Sequence, residues 1–288
     1  MSSCRAILGA ITIAALTVVT AADCSTDHLI AAADTYMAAQ SSAKLDELQK
    51  IITTGNFTYR QNNKSEDIKS GLLSKALKLD HNRTIVDTTA CASYTELVSV
   101  GGPYVIGTQI RHTANAAEIV MIDTIVATTG DWAFGAAQTL SHFSTEDWGT
   151  LDPSERSSRD TLQAAADAYL DMWSNGTAIN AVPWGTPCAR TEGSAYVTPS
   201  CKSGAPSGGG GARNSDRRYV IDETVGSCNV LCAFGGADAR QSRIPINFGE
   251  VTACTYDYSL DRRISSSCMA SSMIRRCKPS PPYYNIVS

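Results

Sequence analysis

Apolar residues recur at helical spacing at Leu29, Ala33, Met37, Leu45, Leu48 and Ile51, which predicts one long or broken helix over residues 27–52 with Asp27 as its cap. A polar loop at 56–63 follows. Ser65, Glu66 and Asp67 then open a second predicted helix with Ile68, Leu72, Ala76 and Leu77 facing inward, and Asp80-His81-Asn82 stops it. Four β-rich runs come next, at 84–89, 92–100, 104–112 and 117–128, separated by Gly101-Gly102-Pro103 and by residues 113–116. A fifth strand is predicted over Trp132 to Phe143, after the Gly130-Asp131 turn.

The pattern then begins again. Leu29-Ile-Ala-Ala-Ala-Asp-Thr-Tyr-Met37 returns as Leu162-Gln-Ala-Ala-Ala-Asp-Ala-Tyr-Leu170, an offset of 133. Arg83, Val86, Ser93, Leu97 and Gly101-Gly102 reappear as Arg217, Val220, Ser227, Leu231 and Gly235-Gly236 at 134, and Arg111 and Glu118-Ile119 as Arg243 and Glu250-Val251 at 132. A near-constant offset over three stretches implies two copies of one folding unit, longer than any solenoid repeat. The second copy has strands around 218–222, 229–234, 242–246 and 250–259. It lacks the second helix, and Ser203 to Ala212 reads there as a flexible Gly- and Ser-rich loop that leaves a second pocket eroded or open. The divisions that follow are 1–22, 23–155, 156–265 and an irregular tail at 266–288 with Pro279, Pro281 and Pro282.

Helices followed by a meander of long antiparallel strands make an α+β unit whose sheet curls round the helices to bury its apolar face. Such a cone encloses a pocket. Two of them in tandem predict a pseudo-dimer within one chain, the second copy covering the convex sheet of the first with strand 230–234.

Composition narrows the setting. With 288 residues and 43% hydrophobic content there is enough apolar surface for two cores. A net charge of -4 without a Lys/Arg run gives no footprint for nucleic acid. Arg5, the apolar run Ala6 to Val19 and the small Ala21-Ala22 have the order of a secretory signal, too short for a stable membrane anchor. Sequons at Asn56, Asn63, Asn82 and Asn175 agree with a glycosylating lumen and predict a secreted or lumenal protein. Removing the signal leaves nine cysteines, so at least one thiol is unpaired within the chain, and Cys188–Cys201 and Cys268–Cys277 are plausible local bridges. The four histidines are scattered without ligand-like spacing, so no metal is expected.

This order of elements, doubled, resembles the nuclear transport factor 2-like superfamily of α+β cones, which includes ketosteroid isomerase, polyketide cyclases and scytalone dehydratase. The signal, the Ala-Ala-Ala-Asp-x-Tyr helix, Arg217-Arg-Tyr-Val-Ile-Asp222 and Phe234-Gly-Gly236 look like a secreted fungal family of doubled cones. Some members of that family resemble the hetero-Diels–Alderases of tropolone sesquiterpenoid biosynthesis. The resemblance implies a cofactor-independent enzyme joining a tropolone-derived ortho-quinone methide to a humulene-type sesquiterpene. A carrier of apolar metabolites and a polyketide isomerase or dehydratase are the alternatives, and a homodimer stays open.

Strand parity proposes the site residues. On 104–112 the even positions Tyr104, Ile106, Thr108, Ile110 and His112 share one face, while Gln109 and Arg111 point the other way. On the next strand Ala117, Ile119, Met121, Asp123, Ile125 and Ala127 share a face, with Asp123 its one ionisable group. A carboxyl alone among Ile and Met is expected to have a raised pKa and to act as a general acid, with His112 as the second candidate. Tyr94, Tyr104, Trp132 and His142 are the expected substrate-binding walls. Tyr36 and Tyr169 read as helix-to-sheet packing, and Arg111 as structural.

Overall fold

A computed structural model describes residues 24–114, 116–131, 133–146, 148–185 and 188–235, with the backbone of three strands at 253–259, 263–269 and 272–273. The signal segment, Trp132, the Arg243 and Glu250-Val251 repeats and the proposed Cys268–Cys277 bridge lie outside the residues whose side chains are described. The first helix, α1 (Thr26–Ser42), is capped by Ser25, whose hydroxyl accepts the His28 N–H at 3.3 Å; Asp27 instead sits in the first turn. It ends where Ala43 turns left-handed at φ 54°, so the predicted long helix breaks into α1 and a one-turn α2 (Asp46–Lys50).

The predicted second helix does not form. Asn62 and Asn63, both at positive φ, make a tight turn between β1 (Thr58–Gln61) and β2 (Lys64–Ser65). The chain after it has one 3-10 turn, at Leu72–Ser74. Its backbone is satisfied by side chains: Gln61 Oε1 accepts the Leu72 N–H at 2.8 Å, and the Gln40 amide donates to the carbonyls of Leu72 and Lys75 at 3.1 and 2.9 Å. The apolar residues Leu72, Leu73 and Leu77 still point inward, from an irregular segment.

The four strands match closely, as β3 (His81–Asp87), β4 (Ala92–Ser99), β5 (Tyr104–His112) and β6 (Ile119–Thr128). With β1 parallel to β6, they form a sheet of order β2-β1-β6-β5-β4-β3. The predicted fifth strand is a helix, α3 (Ala136–Phe143), because Ala136, Thr139 and Phe143 are buried at helical spacing rather than alternately.

The second sheet repeats this plan. After α4 (Arg159–Asp171) come β7 (Arg190–Glu192), β8 (Ala195–Val197), β9 (Ser215–Asp222), β10 (Ser227–Ala233), β11 (Ala253–Ser259), β12 (Arg263–Met269) and β13 (Ser272–Met273). The order is β8-β7-β12-β11-β10-β9, with β7 parallel to β12 and β13 beside β12. The protein is thus mixed α+β, with two mainly antiparallel sheets of the same order.

Pairing also corrects the alignment of the repeat. Asp87 lies opposite Ala92 and Asp222 opposite Ser227, so the structural offset across β3 and β4 is 135. Arg83 corresponds to Arg218, not Arg217. The slip of one residue matters: Leu97 packs under α1, whereas Leu231 faces the first sheet.

The sheets meet through their outer faces. Ile85, Tyr94, Val98, Val105 and Ile125 pack with α3 residues Ala136 and Phe143 and with Val220 and Leu231 of the second sheet. Val230 turns the other way, into the core under α4, so alternate residues of β10 face the first half. The two edge strands are clasped reciprocally. Asp87 Oδ2 accepts the Ile221 N–H at 2.9 Å, and Asp222 Oδ2 accepts the Val86 N–H at 3.0 Å. Cys24–Cys91 and Cys188–Cys201 are disulfides, Cys228 is a free buried thiol, and Cys232 is buried on the same strand. The pairs fit an oxidising compartment. Among the described residues no helix is long and apolar enough to cross a membrane.

Candidate functional site

The inner face of β5 carries Tyr104, Ile106, Thr108, Ile110 and His112, as parity requires, and α1 lies across it. The middle of this space is filled. Tyr36 reaches down from α1 to Thr108 Oγ1 at 2.7 Å, Thr108 meets Thr124 Oγ1 at 2.6 Å, and burial raises the Tyr36 phenol to about 12. Among the described residues, space is open at both ends of β5.

At the Tyr104 end is a cavity of about 650 Å³, within the usual range of small-molecule sites. Gln61, Glu66, Leu72, Lys75, Tyr104 and Asp131 are among its walls. Lys75 Nζ donates to the Tyr104 hydroxyl at 3.1 Å and stands 5.6 Å from the ring centroid. Asn62 fixes the floor by a two-way bond to β6, donating to the Val126 carbonyl at 3.2 Å and accepting its N–H at 2.8 Å. The mouth is held by Asp131, which accepts the Thr128 N–H at 2.7 Å. Most of the lining is polar, with Leu72, Val126 and the Tyr104 ring as the apolar part.

His112 is at the other end, on a cavity of about 140 Å³ bounded by α1 and the start of β6. A bulge between Arg111 and His112 resets the register there. It explains why Ile119 packs inward while Met121, Asp123 and Ile125 turn outward. Asp123 therefore faces away from α1. It is buried between the sheets, where Oδ2 accepts from Arg218 Nε at 2.6 Å with Arg60 at 3.8 Å, and Oδ1 has no hydrogen-bond partner. Burial raises its pKa, and Arg218 and Arg60 oppose that shift. The expected direction is found, but Asp123 lines neither cavity.

The other candidates disperse. Tyr94 also faces outward, its hydroxyl over Gly107, where a Cβ would stand 2.8 Å away. His142 lies on α3 and stacks on Tyr196 with centroids 4.5 Å apart. Arg111 is structural as read, donating to the Gln109 side chain and the Tyr219 carbonyl. The four sequon asparagines are exposed, and Asn63 also accepts from Arg218 and donates to the Cys232 carbonyl across the two halves. Of the five catalytic and binding candidates among the described residues, Tyr104 alone lines the larger cavity. Lys75 and Glu66 carried no site signal in the sequence, because the helix predicted over their segment masked the loop that assembles them, and Gln61 stood in the polar loop 56–63 with nothing to single it out. Among the described residues no three His, Cys, Asp or Glu side chains cluster as a metal site.

A family model described as a domain of unknown function, DUF8021, matches residues 155–260, which spans the second half from α4 to β11. No curated protein matches the chain. Among solved structures, AusH from Aspergillus nidulans is similar over 38% of this chain and 89% of its own, at 11% identity and a TM-score of 0.29. PrhC from Penicillium brasilianum NBRC 6234 is similar over 35% of this chain and 80% of its own, at 15% identity and a TM-score of 0.25. Scores this low leave the functional reading to the chain's own geometry.

Proposed function

We propose that the protein binds a small oxygenated ring compound in the cavity beside Tyr104 and promotes a cofactor-independent reaction in which charge builds on one of its oxygens. The observation that carries this is the Lys75–Tyr104 pair in the cavity wall. An ammonium donating to a phenol oxygen strengthens that phenol as a donor, and the remaining ammonium protons are free to meet a second oxygen. Such a pair suits enolate-like or quinone-like transition states.

The finer form follows the resemblance to hetero-Diels–Alderases. The Tyr104 phenol gives its proton to the leaving hydroxyl of a tropolone benzylic alcohol, water departs, and the ring hydroxyl's proton returns to the phenolate. The ortho-quinone methide is then held through its oxygen while a humulene-type alkene adds across it from the side of Leu72 and Val126. Orientation of two bound reactants supplies on the order of 7 kcal/mol, enough to matter in a step without a covalent intermediate. In this reading Tyr104 takes the acid role first expected of Asp123.

The test is incubation of the secreted protein with both partners. One dihydropyran stereoisomer is expected, with Tyr104→Phe lowering kcat about a hundredfold. A racemic product at the spontaneous rate would discard the reaction. If tropolone still bound in a Tyr104-dependent way, the cavity would belong to a carrier.

A further inference from the structure

His112 sits in a setting unlike that of the other three histidines. Its side chain is buried to 8% exposure, and neither ring nitrogen has a well-formed hydrogen bond, the Ala116 backbone being only a weak partner. Burial holds it neutral, down at about 4, with His28 pushing the same way and a backbone contact at Ala116 opposing. A neutral imidazole has one donor and one acceptor, and leaving such groups unmet in the interior costs about 1–3 kcal/mol.

The space in front of the ring is built from other elements. His28, Ala31, Ala32 and Thr35 come from one stripe of α1, Ile51 from the end of α2, and Ile119 from β6. His28 stands edge-on to His112 with ring centroids 6.0 Å apart. The walls are pinned: Cys24–Cys91 ties the start of α1 to the β3–β4 turn, and the Cys91 carbonyl accepts the His112 backbone N–H at 3.0 Å. The volume, about 140 Å³, is close to the ~150 Å³ of an apolar cavity that takes up a benzene ring. Here that apolar space has a polar end.

We propose that this cavity is a second ligand site, for a single-ring phenol or an aromatic alcohol of the same size, its ring against Ala32, Ile51 and Ile119 and its hydroxyl bonded to His112. A hydroxyl both donates and accepts, so one ligand group can meet whichever His112 nitrogen faces it. A carboxylate fits less well, since it offers acceptors alone to a ring that stays neutral. The site is independent of the reading given to the Tyr104 cavity.

Phenol titrated into the full-length protein at pH 7, followed by calorimetry and by the ring nitrogen signals of His112, tests this. Saturable binding that moves the His112 signals is expected, with benzene about tenfold weaker. Ala31→Leu, an exposed helix position that narrows the entrance, should abolish binding without loss of fold, and His112→Leu should erase the preference for phenol over benzene. Absence of saturable binding, unmoved His112 signals, or equal affinity in wild type and Ala31→Leu would each overturn the site.

Discussion

In the first half the residue four positions beyond the shared helix tyrosine is Gln40; in the second it is Trp173. Gln40 reaches out to the carbonyls of Leu72 and Lys75 and so holds the wall of the 650 Å³ cavity. Trp173 packs edge-on to Tyr169 at 5.4 Å and to Phe234 at 5.3 Å, and Trp184 closes on Tyr169 from another side at 6.1 Å. The Gly-rich stretch 203–212, expected to be a flexible loop, lies close on the end of α4. Gly211 N–H donates to the Trp173 carbonyl at 2.9 Å, and a Cβ on Gly209 would come within 2.5 Å of the Gly176 nitrogen. The motif Asp diverges too: Asp167 binds Arg217 and Tyr219 at 2.5 and 2.6 Å, whereas Asp34 is exposed. One frame of helix and sheet therefore tolerates both an end left open beside Gln40 and an end packed with aromatic rings around Trp173.

The largest test concerns the clasp that makes the halves look equal. Asp87 is fully buried and holds Arg159 by two bonds at 2.7 and 2.8 Å besides capping Ile221, whereas Asp222 caps Val86 and serves its own Thr224 turn. Asp87→Ala strands a guanidinium and should cost about 3–5 kcal/mol. Asp222→Ala should cost about 1–3 kcal/mol. Equal losses in urea unfolding would mean that the clasp is symmetric in energy as well as in geometry.

Exchanging the two interiors comes next. Trp173→Ala should cost about 3 kcal/mol through lost aromatic packing, yet leave tropolone affinity unchanged. Gln40→Ala should cost about 2 kcal/mol by leaving two carbonyls unmet, and should weaken tropolone binding because the Leu72–Lys75 wall loosens. A reversal of the binding results would place the working interior in the second half.

All four histidines precede the second half, so pH should separate the halves as well. His112 is held down at about 4 when folded, against 6.5 when unfolded. Between these values the unfolded chain takes up a proton that the folded chain refuses. Stability on this account is full above about pH 6.5 and is lost as pH falls toward 4, by about 3 kcal/mol. His112→Gln should flatten that slope, seen in Tm against pH; an unchanged slope would show that His112 is not the group responsible. The smallest effect is expected at Gly71, where a Cβ would stand 2.6 Å from the Tyr59 ring. Gly71→Ala should cost about 1 kcal/mol as the ring shifts, and a neutral result by thermal unfolding would show that the β1–β2 side of the cavity yields freely.

The chain's own pattern determined the repeat, the four strands of the first sheet, the inner face of β5 and the Cys188–Cys201 bridge. The repeat rests on self-similarity at a fixed offset, and the others on near-neighbour order, namely alternation along a strand or a short spacing between cysteines. Tertiary structure decided the rest. Gln40 and Gln61 satisfy the backbone of residues 72–75 from a distance, so an apparently amphipathic helix became a cavity wall. A bulge at His112 moved Asp123 from the substrate space to the ion pairs between sheets, since parity cannot show where one extra residue enters a ladder. Cys24 found Cys91 across 67 positions. Lys75 met Tyr104 for the same reason: two side chains remote in sequence become a site when the sheet and the segment crossing it fix their distance, and no local pattern encodes that distance.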